Sequence, residues 1–160
     1  MSETAYEHVY AVRVYYEDTD AGGVVYYANY LRFAERARTE LLRDLGIDHV
    51  GLLRDEGLNF AVRGCAAEYL RPARLDDLLE VRTRLVEAAG ASFTLAQTVH
   101  RGDETLVEMT VRLVCLRSDG RPARLPQSLR NAIIAGHPAS SAGAGDPASR
   151  HTAGNPASRH

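Results

Sequence analysis

Lysine is absent from the sequence, and all 19 basic residues are arginine. That excludes Schiff-base catalysis and any phosphate loop built on a lysine. Only two cysteines occur, Cys65 and Cys115, far apart and outside any C-x-x-C pair. Each sits in an apolar, strand-like run, which predicts buried reduced thiols instead of a disulfide or a nucleophile. The six histidines are scattered without ligand spacing, so neither a metal nor another cofactor is expected. No apolar run approaches the roughly 20 residues that span a bilayer, and the polar start Met1-Ser2-Glu3-Thr4 is unlike a signal peptide. A transmembrane segment is therefore not expected, and a cytoplasmic location is. The net charge of −2 and the lack of a basic run leave nothing to attract nucleic acid.

What is present is ordinary for a globular chain: 160 residues, 45% hydrophobic and 25% charged, enough for one domain with one core. Residues 8–17 alternate Val12, Val14 and Tyr16 with Arg13, Tyr15 and Glu17, a strand pattern that residues 18–23 break with turn formers. A helix is predicted from Val25 or Ala28 to Leu45, stopped by Gly46. Tyr30, Phe33, Ala34, Ala37, Leu41 and Leu45 share one side, and Leu31 and Leu42 widen it. An arc this broad calls for a large partner such as a curved sheet. Arg38 projects from within the arc, its stem expected to pack while its head reaches the rim or a carboxylate. A short helix at 48–57 precedes strands near 59–70, 78–89, 92–101 and 104–117, the last three a meander. A closing helix is expected at 126–135. The domain thus runs over 1–135, and the Ala/Gly/Ser/Pro-rich stretch 136–160 reads as a disordered tail. The class is α+β, with one sheet around the long helix.

The informative segment is YYEDTDAGGVVYYANYLRFAERARTELL, residues 15–42. A strand leads into an acidic turn, two glycines and a buried helix whose first amides lack internal partners and carry the positive end of the dipole. A carboxylate there could act as nucleophile or general base, with the open amides as donors to an oxyanion. On spacing alone, capping and turn formation is the stronger reading of Asp18 and Asp20. Gly22 and Gly23 would let backbone approach a ligand closely.

The run Arg13 to Tyr26, with Ala28, Tyr30 and Glu35-Arg36-Ala37-Arg38-Thr39-Glu40, closely resembles the acyl-CoA thioesterases of the Tol–Pal-associated (YbgC) type. These lie within the wider 4-hydroxybenzoyl-CoA thioesterase family. Further matches are Glu68-Tyr69, Pro72-Ala73-Arg74-Leu75-Asp76-Asp77, Leu79-Glu80 and Leu125-Pro126, so the resemblance spans about residues 8–133. It implies a hotdog fold, a long central helix wrapped by about five antiparallel strands. It also implies a homodimer or homotetramer with active sites between subunits. The position matching the catalytic carboxylate is Asp20, with an oxyanion-binding amide near Tyr27 and substrate contacts at Gly22, Gly23 and Val24. Asp18 then shapes the turn. Where bacterial members usually carry histidine after Val-Val-Tyr, this chain has Tyr27, which keeps a backbone donor and loses an imidazole.

The resemblance implies an acyl-CoA substrate, with acyl carrier protein as a possible carrier. Arginines near turns (Arg63, Arg71, Arg74 and Arg124) are the candidates for the coenzyme A phosphates. The competing class is a weakly or non-catalytic hotdog scaffold that docks to lipid-synthesis or cell-envelope proteins. A hotdog dehydratase is disfavoured because no suitable His–acid pair occurs.

Overall fold

The computed structural model describes residues 6–136. Five strands form one antiparallel sheet: β1 His8–Arg13, β2 Leu58–Tyr69, β3 Leu78–Ala89, β4 Ser92–Arg101 and β5 Glu104–Arg117. Their order across the sheet is β1-β3-β4-β5-β2. The predicted meander forms the centre, and the two strands flanking the long helix in sequence take the opposite edges.

Alternation fixes which face is apolar, because neighbouring strands place paired residues on the same side. Val12 faces Leu79, Val81 faces Val99, Leu95 faces Val111, and Phe93 faces Leu113. All eight are buried. Register shifts at Val62/Gly64, Leu85/Glu87 and Val99/His100 mark bulges, which bend strands and increase twist.

Helix α1, Asn29–Asp44, lies on that apolar face and touches β1 and β3. It buries Tyr30, Phe33, Ala34, Ala37, Leu41 and Leu42. Full burial of one large apolar side chain such as Phe33 is worth about 1.5–3 kcal/mol. The helix stops as the sequence predicts: Gly46 takes φ 81°, and Ile47 N–H returns to the Leu42 carbonyl at 2.8 Å. Helix α2, His49–Glu56, is capped by the Asp48 carboxylate, and α3, Gln127–Ala135, follows Pro126.

Four expectations need correction. β1 ends at Arg13 instead of residue 17, because the Asp18 carboxylate accepts from Tyr15 N–H and folds Tyr16–Asp18 into a 3-10 turn. Val25 does not begin the helix; it bridges Thr19 and donates to the Ala73 carbonyl, so its backbone is strand-like. Leu31 is 40% exposed and does not extend the buried arc. Cys65 is exposed, whereas Cys115 is buried as expected. Cys65 lies where edge strand β2 has run beyond cover, since Glu68 and Tyr69 beside it are exposed as well.

Arg38 is half-buried and has no carboxylate within ion-pair distance among the described residues. Its Nη1 donates to Gln97 Oε1 at 3.0 Å, while Gln97 Nε2 donates to the Ala34 carbonyl and to Thr83 Oγ1, both at 3.0 Å. Gln97 and Thr83 are fully buried and sit opposite each other on β4 and β3. Burial lowers the Arg38 pKa from its ordinary value, opposed by Glu35 and Cys65. The predicted tail 136–160 lies outside the described residues except for Gly136. Among the described residues no helix is long and apolar enough to cross a membrane.

Candidate active site

The segment 18–28 is a compact loop held on two sides. Internally, Asp20 N–H donates to the Val24 carbonyl at 2.9 Å, Gly23 N–H to the Asp20 carbonyl at 3.0 Å, and Tyr26 N–H to the Asp18 carbonyl at 3.1 Å. Asn29, buried at the first turn of α1, donates its side-chain amide to the same Asp18 carbonyl at 2.8 Å. Externally, the loop is laced to residues 73–77. Val24 bridges Arg74, Val25 N–H donates to the Ala73 carbonyl at 2.9 Å, and Ala73 N–H donates to the Tyr30 hydroxyl at 2.9 Å. These contacts fix the helix start relative to the acidic turn.

Within the loop Asp20 is exposed. Its Oδ1 accepts from Gly22 N–H at 2.8 Å and from Val24 N–H at 3.4 Å. A Cβ at Gly22 would stand 3.2 Å from Oδ1, close enough to make the carboxylate give way by a few tenths of an ångström. Gly23 has φ 79°, the left-handed region that glycine enters without strain. The Gly22 and Val24 amides thus hold one carboxylate oxygen, and the other has no hydrogen-bond partner among the described residues. Within one protomer the loop's own amides hold Oδ1.

The helix start supplies open donors. Asn29, Tyr30 and Leu31 N–H groups are taken by the carbonyls of Tyr26, Tyr27 and Ala28. Tyr27 N–H and Ala28 N–H have no acceptor among the described residues. Tyr27 is 59% exposed, and its ring stands 4.8 Å from Tyr26 and 6.0 Å from Tyr69, which in turn lies 5.7 Å from Tyr30. Asn29, Tyr30 and Tyr69 were not legible as site residues. Tyr30 and Tyr69 do fall within the runs that carry the resemblance, whereas the signal at Asn29 is polar character at a helix start.

The candidate arginines separate. Arg71 is ion-paired to Glu104 at 3.1 Å. Arg74 adjoins Val24, and its guanidinium has no carboxylate within ion-pair distance among the described residues. Arg63 is on the exposed part of β2, and Arg124 lies just before α3. Asp77 anchors the neighbouring strap. Burial alone would raise its pKa, but the Arg74 N–H and the Arg101 guanidinium at 2.8 Å outweigh that and hold it below its ordinary value. Among the described residues no group of three His, Cys, Asp or Glu side chains is placed to hold a metal.

Residues 14–133 match the Thioesterase-like superfamily. An acyl-CoA thioesterase YbgC of Haemophilus influenzae is 44% identical over 124 residues, 77% of this chain and 91% of the relative. An acyl-CoA thioester hydrolase YbgC of Escherichia coli O157:H7 is 46% identical over 120 residues, 74% of this chain and 89% of its own. Among solved structures, one described as a probable thioesterase from Bartonella henselae has a TM-score of 0.73 at 41% identity, covering 76% of this chain and 100% of that one. A 4-hydroxybenzoyl-CoA thioesterase variant, with a TM-score of 0.75 at 22% identity over 79% of this chain and 98% of its own, shares the fold. The helix-on-sheet arrangement is thus the hotdog fold, and the chain belongs to the Thioesterase-like superfamily, among the YbgC acyl-CoA thioesterases.

Proposed function

We propose that the protein hydrolyses acyl-coenzyme A thioesters to a free acid and coenzyme A, with Asp20 as its reacting carboxylate. The observation that carries this reading is the loop itself. It holds Asp20 Oδ1 against Gly22 N–H, leaves the second oxygen unpartnered, and runs into a helix start with open amides at Tyr27 and Ala28. The YbgC relatives carry the same activity in their names.

In this mechanism the free oxygen of Asp20 attacks the thioester carbon, or removes a proton from a water that does so. The carbonyl oxygen gains the negative charge, and the Tyr27 and Ala28 amides stabilise it, one such donor being worth about 10²–10³ in rate. Collapse expels the coenzyme A thiolate, a leaving group that ionises readily at a thiol pKa of about 8.5 and needs no strong acid. By the water route the proton taken up by Asp20 passes to the thiolate or to solvent, which regenerates the carboxylate; by the nucleophilic route water hydrolyses the mixed anhydride, releasing the acid and freeing Asp20.

A second copy of the chain completes the site. The far half of β2 is an exposed sheet edge with unpaired backbone groups, which favours pairing with another strand. Tyr69, at the end of that edge, already touches Tyr27, so a partner paired there would cover the Asp20 loop.

Steady-state assays of Asp20→Asn on short, long and aromatic acyl-CoA thioesters test the reading. Turnover should fall at least about a hundredfold while circular dichroism and oligomeric size stay unchanged. Hydrolysis at the wild-type rate by that variant removes Asp20 from the mechanism. A scaffold role is favoured by one feature, the exposure of Asp20 in the single protomer. It predicts no turnover on any thioester, whether carried by coenzyme A or by acyl carrier protein.

A further inference from the structure

Asn29 is an unusual residue for its place. It opens α1 and is only 9% exposed, while the other buried residues of that helix are aromatic or aliphatic. Asparagine forms helix less readily than alanine, and a buried amide is costly unless it is hydrogen-bonded. Nor does it cap the helix, because Ala28 holds the cap position and makes no side-chain bond there. Its side chain instead turns back eleven residues, where Nδ2 donates to the Asp18 carbonyl at 2.8 Å.

That carbonyl closes the Asp20 loop, since it also accepts the Tyr26 N–H at 3.1 Å. The Tyr26 carbonyl in turn accepts the Asn29 N–H at 2.8 Å. Asn29 therefore holds both ends of segment 18–26, one with its side chain and one with its backbone. The amide can be seated in one way only, because its NH2 end donates and its oxygen cannot. Among the described residues no other side chain outside the loop donates to a carbonyl within it. Asp20 stands two residues from one held end, and the open amides of Tyr27 and Ala28 directly follow the other.

We propose that Asn29 is a positioning residue for thioester hydrolysis: its side-chain bond sets the separation between the Asp20 carboxylate and the amides that receive the carbonyl oxygen. The assignment rests on the hydrolase reading above and adds the part that aligns the two halves of the site. Without the bond the Asp18 carbonyl keeps the Tyr26 N–H as a partner, so an alanine in place of Asn29 leaves the loop closed and improves the helix. What is lost is the tie between turn and helix. A displacement of about 1 Å at reacting groups costs up to about a hundredfold in rate, and the loss falls on kcat instead of KM.

Steady-state kinetics of Asn29→Ala, Asp20→Asn and the double variant, on the acyl-CoA thioester that the wild type turns over fastest, test the assignment. Asn29→Ala should lower kcat at least about tenfold and move KM by less than about threefold. In the Asp20→Asn background the same replacement should cost less than about twofold, because its effect passes through the carboxylate. Amide exchange at Tyr26 should quicken in Asn29→Ala, with circular dichroism and oligomeric size unchanged. Asn29→Asp, close in size and without a donor, should lose kcat likewise and covers the case in which the alanine variant does not fold. A kcat within about threefold of wild type, a loss carried by KM, or an equal loss in both backgrounds would overturn the positioning role while leaving Asp20 in its own. Wild-type turnover by Asp20→Asn alone would instead overturn the hydrolase reading, and this role with it.

Discussion

Replacing Tyr30 by Phe removes a single oxygen from a buried ring and isolates one hydrogen bond. Tyr30 is 3% exposed, and its hydroxyl accepts the Ala73 N–H at 2.9 Å. Ala73 is itself fully buried, so water cannot replace the lost acceptor. Phenylalanine keeps the ring's apolar contacts, including the edge-on approach to Phe33 at 6.2 Å. The loss is therefore the penalty for a buried unsatisfied amide, about 1–3 kcal/mol. Burial keeps the Tyr30 phenol above its ordinary pKa, against the opposing pull of the Ala73 bond and Arg101, so it stays neutral and the penalty should not vary near pH 7. Urea unfolding of both proteins should show a lower midpoint at unchanged slope. Amide exchange should accelerate at Ala73 and at Val25, whose N–H donates to the Ala73 carbonyl. A loss within about 0.5 kcal/mol, the range of a neutral surface change, would refute the reasoning.

Gly22→Ala places a methyl carbon 3.2 Å from Asp20 Oδ1, so the carboxylate must shift. Hydrolysis should drop at least about tenfold while stability changes by no more than roughly 1 kcal/mol, as read by kinetics and unfolding on the same preparation. Asp77 has a folded pKa held below its unfolded value, so its contribution is present above that unfolded value and lost as pH falls through the lower, folded one. Asp77→Asn should accordingly destabilise near pH 7, and its difference from wild type should shrink as unfolding is followed through the acid range. A difference that persists unchanged at low pH would contradict the Arg101–Asp77 account.

The strand and helix pattern is legible because it is periodic: Val81, Leu95 and Val111 repeat at two-residue spacing, and Phe33, Ala37 and Leu41 fall on one helical side. The Asp20 segment is legible only through its resemblance to the YbgC run, since on spacing alone acids before a helix read as caps and turn formers. What escapes is contact between distant segments. Nothing local shows that Tyr30 reaches Ala73, or that Gln97 and Thr83 hold Arg38. The ends of β1 and the start of α1 are misread for the same reason. The Asp18 carboxylate and the strap at Ala73 override the local preference of Tyr15, Tyr16 and Val25.

The order β1-β3-β4-β5-β2 also constrains how the chain finds this shape. Hairpins β3–β4 and β4–β5 join neighbours in sequence and close cheaply, whereas β1 and β2 must travel to opposite margins with α1 slung between them. Loop-closure entropy therefore makes the central hairpins the early event, and the segment bearing Asp20 can settle only on a surface that the later half of the chain has already built.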